Sequence, residues 1–258
     1  MDIIAIANQK GGVGKTTTAV NLASALALIA GKKVLLIDMD SQGNATTSLG
    51  VDKNALDATM VDVLLDGMSL HQVIRAVALG FDMVGANRDL TGADVALSAL
   101  DNAPLLLRRA LMDSQLDYDY VVIDCAPSLS LLTINALVAA KGVIIPMQCE
   151  YYALEGVVDL THTIERLTHI NPELHIRGVV RTMYDGRNML AQDVSQELQD
   201  YFGEKLYKTC IPRNVRLAEA PSFGQSIFDY QKSSAGARAY HKFMLEVLTQ
   251  SEQPSLLK

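Results

Sequence analysis

Ile3 to Thr18, IIAIANQKGGVGKTTT, is the stretch from which the fold is read. The apolar run Ile3 to Ala7 predicts a buried strand, and Ala19-Val20-Asn21-Leu22-Ala23 predicts a helix. Between them lies a glycine-rich turn, Lys10-Gly11-Gly12-Val13-Gly14-Lys15-Thr16. Strand, glycine turn and helix is the context of a phosphate-binding loop. Glycines let backbone N–H groups approach phosphate oxygens where a Cβ would intrude. The helix N-terminus adds unpaired N–H groups and partial positive charge. Gly11, Gly12, Val13, Gly14, Lys15, Thr16 and Thr17 are therefore the candidate nucleotide contacts. Lys15 supplies a point charge for the β- and γ-phosphates, and the Thr16 hydroxyl is a candidate Mg²⁺ ligand. The pattern reads as a nucleoside triphosphate site.

Two further stretches carry carboxylates to the same sheet edge. Lys33-Val34-Leu35-Leu36-Ile37-Asp38 is an apolar strand that runs into Asp38-Met39-Asp40. In a parallel sheet its C-terminal end lies beside the phosphate loop. A carboxylate pair there can position Mg²⁺-bound waters or the attacking water of phosphoryl transfer, although an isolated DxD is more often a polar turn. Asp119-Tyr120-Val121-Val122-Ile123-Asp124 is another apolar strand ending in aspartate, the form of a Walker B element. Alone that signal is weak; joined to a phosphate loop it is strong.

A strict G-x-x-x-x-G-K-[ST] loop needs glycine at position 9, where this chain has Gln9, with a second lysine at Lys10. The KGGVGKT form resembles the deviant phosphate loop of the ParA/MinD ATPases, a family that includes nitrogenase iron protein. The resemblance implies that Lys10 reaches across a nucleotide-sandwich dimer to the partner's phosphates. LIDMDSQGNAT resembles the switch I segment of ParA, which implies that Asp40 orients the attacking water and Asp38 belongs to the Mg²⁺ site, as does Asp124. Ser41 and Ala126 stand where the family usually has proline, a change in loop stiffness rather than in chemistry. QCEYYALEG (148–156) and IPRNVRLAEAP (211–221) resemble chromosomal, Soj-type ParA proteins and differ from MinD. The likeness runs to about residue 240. It implies that Pro212 and Asn214 contact the adenine, and that Arg187, Arg213 and Arg216 face a DNA backbone.

The 258 residues, 49% of them hydrophobic, suit one α/β domain over 1–250, with 251–258 as a short tail. The expected fold is a single P-loop NTPase domain, a mostly parallel twisted sheet with helices on both faces. Helices are expected over Met60 to Leu65, Leu70 to Ala76, Ala103 to Met112, Ala191 to Phe202 and Ser234 to Leu248. Strands are expected over Phe81 to Val84, Gly142 to Pro146 and Ile176 to Arg181. Ala19 to Ala30 is apolar enough for a signal core, but it follows the loop, has no convincing cleavage site and is too short to span a bilayer. Cys125, Cys149 and Cys210 are scattered and read as buried, inert thiols. The expected location is the cytoplasm.

Net charge is −7, which taken alone disfavours nucleic acid. Residues 205–242 depart from it, with seven Lys and Arg against Glu219 and Asp229, a net of +5. Joined to the resemblance, this favours an ATP-dependent DNA-partitioning switch using ATP and Mg²⁺. The expected switch dimerises on ATP, binds double-stranded DNA non-specifically at the nucleoid and answers to a ParB-like centromere-binding partner. A MinD-like membrane ATPase is the alternative, and a metabolic or redox P-loop enzyme a second one. The stripe Tyr240, Phe243, Met244, Val247 and Leu248 bears on the first. A membrane anchor wants flanking Lys and Arg. The tail TQSEQPSLLK has a single basic residue, so docking on the core and no membrane contact is the expectation.

Overall fold

In a computed structural model, which describes residues 1–151 and 153–252, the chain alternates strands and helices from end to end. The first half runs β1 (Asp2–Ile6), α1 (Lys15–Leu28), β2 (Val34–Met39), α2 (Asn44–Ser48), α3 (Met60–Leu65), α4 (Leu70–Val73), β3 (Arg75–Ala76), β4 (Asp82–Val84), α5 (Ala93–Ser98) and α6 (Leu106–Asp113). Then come β5 (Tyr120–Cys125), α7 (Leu131–Ala139), β6 (Gly142–Gln148), α8 (Glu155–Leu167), β7 (His175–Tyr184), α9 (Met189–Phe202), β8 (Leu206–Pro212), α10 (Val215–Glu219), α11 (Ile227–Tyr230) and α12 (Ala235–Glu252).

The strands form one sheet in the order β3-β4-β2-β5-β1-β6-β7-β8, parallel throughout except for the short edge strand β3. β1 lies inside it, pairing with β5 on one side and β6 on the other. Successive side chains of a strand point to opposite faces. Ile3, Ala5, Leu35, Ile37, Val121 and Ile123 accordingly pack on one face with α3 and α5 to α9. Ile4, Ile6, Val34, Leu36 and Val122 pack on the other with α1, α11 and α12. Both faces are covered, so the central strands can be apolar along their whole length. The α/β reading holds.

Two local expectations are corrected. The helix expected over Leu70 to Ala76 stops at Val73, because Ile74 turns extended and Arg75 pairs antiparallel with Met83. Ser69 and Gln72 form a capping box that closes so short a helix at its start. The helix expected from Ala103 begins as a tight 3₁₀ turn containing Pro104, and α-helix proper starts at Leu106.

The C-terminal helix docks on the core. Tyr240, Phe243, Met244 and Val247 are buried among α1 and the β-strands, with Leu248 packed at the margin. Tyr240 Oη and Thr18 Oγ1 share a buried 3.1 Å hydrogen bond. The helix runs past the expected boundary at 250: Ser251 Oγ donates to Asp2, and Arg177 pairs with Asp2 at 2.6 Å while donating to the Val247 carbonyl. The remainder of the expected tail, 253–258, lies outside the described residues. Among the described residues no helix is long and apolar enough to cross a membrane.

Candidate nucleotide and phosphoryl-transfer site

The loop between β1 and α1 leaves the middle of the sheet. Its entry is fixed by Asn8, buried, whose amide donates to the Pro146 carbonyl at 2.8 Å and whose Oδ1 accepts the Lys10 N–H at 2.9 Å. Gly12 and Gly14 have φ of 75° and 86°, the left-handed region that L side chains rarely occupy. Among the described residues, a Cβ at Gly11 or Gly12 would meet no atom within 4 Å beyond its own chain neighbours, so the loop borders open space. Gly14 precedes α1 as its N-cap with no capping side chain, and the first turn carries no acidic residue. The Thr18 N–H closes the first helical bond onto Gly14, leaving the N–H groups before it outside the ladder. These are the requirements of an anion cradle.

Lys15 opens α1, almost fully buried, and its ammonium donates to the Lys10 carbonyl at 3.0 Å. Burial lowers its pKa, opposed by the charges of Asp124, Cys125 and Asp40. Thr16 and Thr17 follow, both half-buried. Lys10 itself is at the surface, its Nζ 2.8 Å from Glu150 Oε2.

Three aspartates converge. Asp38 and Asp124 are register partners on β2 and β5, and Asp124 also pairs with Ile6, the last residue before the loop. Both are fully buried. Asp38 is held on every side: its Oδ1 accepts the Asp40 N–H at 3.1 Å, and its Oδ2 accepts the Thr46 N–H at 2.9 Å and hydroxyl at 2.7 Å. Three of roughly four lone-pair positions are thereby filled. Asp38 thus anchors the turn from 40 to 46. Burial pushes its carboxyl up to about 6 despite those bonds. Asp40 is nearly buried, and its Oδ1 accepts the Gln42 N–H at 2.9 Å.

Asp124 is different. Among the described residues neither of its carboxylate oxygens completes a hydrogen bond of normal geometry, although both are buried and the Thr16 hydroxyl lies near. Burial raises its pKa well above the ordinary value, the Asp38 charge adds to that, and the neighbouring Thr16 hydroxyl and Lys15 ammonium oppose it. A buried carboxylate without such a bond calls for something to satisfy it. A hydrated Mg²⁺ does so through one or two carboxylates, a hydroxyl and the substrate's phosphates. Among the described residues no group of three or more His, Cys, Asp or Glu could cage a metal by itself. The donor set fits a cation brought in with a nucleotide.

The remaining expected contacts lie at the same strand ends. Pro212 closes β8 beside Tyr184 of β7. Asn214 precedes α10 without capping it, and its Oδ1 is buried with no partner among the described residues. Arg187, Arg213 and Arg216 are all exposed. Arg187 is paired with Asp185 through Nε at 2.9 Å and a terminal nitrogen at 2.8 Å. Arg216 meets Glu219 at 2.7 Å, and Tyr230 donates to that same carboxylate. A groove of about 620 Å³ beside Pro212 gathers three more cations of the basic segment, Lys208, Arg238 and Lys242. Cys125 and Cys149 are buried as expected, whereas Cys210 is only partly so; burial raises all three pKa values.

Sequence reading missed the residues that hold the loop from outside. Gln148 Nε2 donates to the Gly12 carbonyl at 3.2 Å, and Thr182 Oγ1 donates to the Val13 carbonyl at 2.7 Å. With Glu150 they come from the ends of β6 and β7, far along the chain; QCEYYALEG marks Gln148 and Glu150 only by resemblance and without a role, and nothing local marks Thr182.

A family model described as an AAA domain matches residues 1–176. The chromosome-partitioning ATPase Soj of Thermus thermophilus is 51% identical over 251 residues, covering 97% of this chain and 96% of that protein. The sporulation initiation inhibitor protein Soj of Bacillus subtilis is 49% identical over 247 residues, covering 95% and 97%. Among solved structures, cobyrinic acid a,c-diamide synthase from Mycobacterium smegmatis with bound ADP and magnesium superposes with a TM-score of 0.86 at 35% identity, covering 98% and 96%.

Proposed function

This chain belongs to the ParA/Soj family of chromosome-partitioning ATPases, and from that premise we propose that it is an ATP-dependent DNA-partitioning switch. The observation that carries the chemistry is the buried Asp124 carboxylate, beside Lys15 and the Thr16 hydroxyl at the foot of an open glycine loop and, among the described residues, without a hydrogen bond of normal geometry. The loop N–H groups and Lys15 bind the β- and γ-phosphates of ATP. Thr16 and Asp124, with Asp38 beside them, would hold Mg²⁺ directly or through its waters, and Asp38 also fixes the turn that carries Asp40. Bound Mg²⁺ supplies positive charge against the charge developing on the transferring phosphoryl group. Asp40 orients a water for in-line attack on the γ-phosphorus; the bond to the bridging oxygen breaks, and ADP and phosphate leave. Pro212 and Asn214 take the adenine.

Two ATP-bound chains close face to face, and Lys10 leaves Glu150 for the partner's phosphates. Closure doubles the basic surface of Arg187, Arg213, Arg216 and the neighbouring lysines. Non-specific DNA affinity follows the number of phosphates neutralised at once, so a dimer binds where an acidic monomer does not. Hydrolysis, slow alone and accelerated by a ParB-like centromere-binding partner, releases the DNA. The protein works in the cytoplasm, on the nucleoid. A membrane output is disfavoured because α12 spends its apolar stripe on the core.

The test is binding to random-sequence duplex DNA across a salt series, with a slowly hydrolysed ATP analogue, with ADP and without nucleotide. Steep binding with the analogue alone is expected. Equal binding in all three states would sink the switch, and ATP binding without DNA affinity would redirect the search to a membrane or protein target.

A further inference from the structure

The phosphate loop is gripped from outside by two side chains that face each other across the β6–β7 ladder. Gln148 and Thr182 are register partners at the C-terminal ends of those strands. Gln148 Nε2 reaches the Gly12 carbonyl, and Thr182 Oγ1, buried, reaches the Val13 carbonyl. The carbonyl of Lys10 is taken as well, by Lys15. Three loop carbonyls are thus tied down by side chains.

A trans peptide is planar, and its C=O and N–H point in opposite directions. The Gly12 carbonyl and the Val13 N–H share one peptide plane; the Val13 carbonyl and the Gly14 N–H share the next. Fixing those two carbonyls toward β6 and β7 turns both N–H groups the other way. A glycine loop has many conformations to choose from, and only those with N–H groups turned inward bind phosphate. The grip removes the others before any ligand arrives.

The strand end that supplies Thr182 is itself unusual. Met183 has a φ of 49°, in the left-handed region where a long unbranched side chain is uncommon. Its side chain packs against Gln148 Nε2, the nitrogen that donates to the Gly12 carbonyl. Backbone outliers persist where the surroundings over-determine them, and they cluster at working sites. Here the turn sends Thr182 to one loop carbonyl and brings Met183 against the residue holding the other.

We infer that Gln148 and Thr182 are positioning residues for ATP binding, holding the Gly12–Val13 and Val13–Gly14 peptides with their N–H groups toward the phosphates. The inference rests on the nucleotide-binding reading and adds to it two residues outside the loop. Neither touches the nucleotide; they act through the loop.

The test is the affinity of the full chain for a fluorescent ATP analogue with Mg²⁺, read beside the thermal midpoint of the nucleotide-free protein. Thr182→Val keeps the shape and removes the hydroxyl; Thr182→Ser restores it. Thr182→Val and Gln148→Leu are each expected to weaken binding at least tenfold with the nucleotide-free midpoint within a few degrees of wild type, and Thr182→Ser to recover to within threefold. Wild-type affinity in both Thr182→Val and Gln148→Leu would overturn the inference, as would a Thr182→Ser as weak as Thr182→Val. Should Thr182→Val not fold, Thr182→Ser and the more exposed Gln148 decide it. No binding by the wild-type chain would instead overturn the nucleotide reading itself.

Discussion

The Lys10 ammonium is 2.8 Å from the Glu150 carboxylate, so the loop lysine is held by a residue 140 positions away in its own chain. Both side chains are about half exposed, at 45% and 51%. Exposed ion pairs are worth only about 0.2–1 kcal/mol. The pair is therefore a weak latch, one that a partner's phosphates can break. Glu150→Gln should leave the melting temperature nearly unchanged and raise ATP-dependent dimerisation two- to fivefold, measured by light scattering across a protein titration. Lys10→Ala should abolish the dimer while leaving the monomer folded. Dimerisation unchanged in Glu150→Gln would show that the pair plays no part in closure.

Asp40→Ala should separate binding from hydrolysis. Among the described residues the Asp40 side chain accepts only the Gln42 N–H, so its loss leaves the loop and Asp124 in place. Hydrolysis should fall by about 10²-fold or more, with nucleotide affinity within a few-fold of wild type. Turnover assays beside equilibrium binding would check it, and a parallel loss of both would assign Asp40 to binding.

The buried carboxylates set a pH dependence in the nucleotide-free protein. Asp38 is pushed up to about 6 and Asp124 also well above the ordinary value, both chiefly by burial. A carboxyl that binds its proton more tightly folded than unfolded makes stability fall as pH rises from about 4 through the folded-state value. The nucleotide-free chain should therefore gain stability between pH 7.5 and pH 5.5. Asp124→Asn should raise its stability at pH 7.5 and flatten that slope, read from denaturant midpoints. A slope unchanged by Asp124→Asn would place the titration elsewhere.

Arg216→Ala and Arg187→Ala should each weaken DNA binding and reduce the salt slope by about 0.9, the value for one phosphate contact. Each arginine now pairs with a carboxylate, Glu219 or Asp185, and has to exchange it for phosphate. Filter binding at several salt concentrations reads both quantities. A lower affinity with an unchanged slope would mean that the arginine acts through its ion pair and not on DNA.

Phe243→Ala tests whether α12 belongs to the core. The ring is fully buried and meets Tyr207 edge-on at 4.8 Å. Removing it should cost about 3–5 kcal/mol, measured by urea denaturation. A loss below about 1 kcal/mol would release the helix for some other partner.

The parts of this molecule that could be read from sequence are those whose physics is local. β1, β2 and β5 are unbroken apolar runs because both sheet faces are covered, and the phosphate loop needs its glycines and lysine in adjacent positions. β8 was not read as a strand because it lies at the sheet edge, where Lys208 is exposed and the apolar run breaks. α2, of sequence NATTS, has no apolar stripe; Asp38 holds it by bonding Thr46. Asn8, Gln148, Glu150 and Thr182 serve the site through contacts that span up to 169 residues; QCEYYALEG holds two of them, yet no local pattern tells which loop atoms they reach.

The interior position of β1 also governs when the site can come into being during synthesis. β1 is made well before its partners, which begin at Tyr120 and Gly142. At about 5–20 residues per second, roughly 7–30 s pass before both have been made. Until then the apolar run Ile3 to Ile6 has two open edges, the kind of segment that chaperones shield and that aggregates if left alone. The phosphate loop hangs from that strand, so no nucleotide can be captured on the nascent first half. Nucleotide binding thereby reports that β5 and β6 have closed around β1.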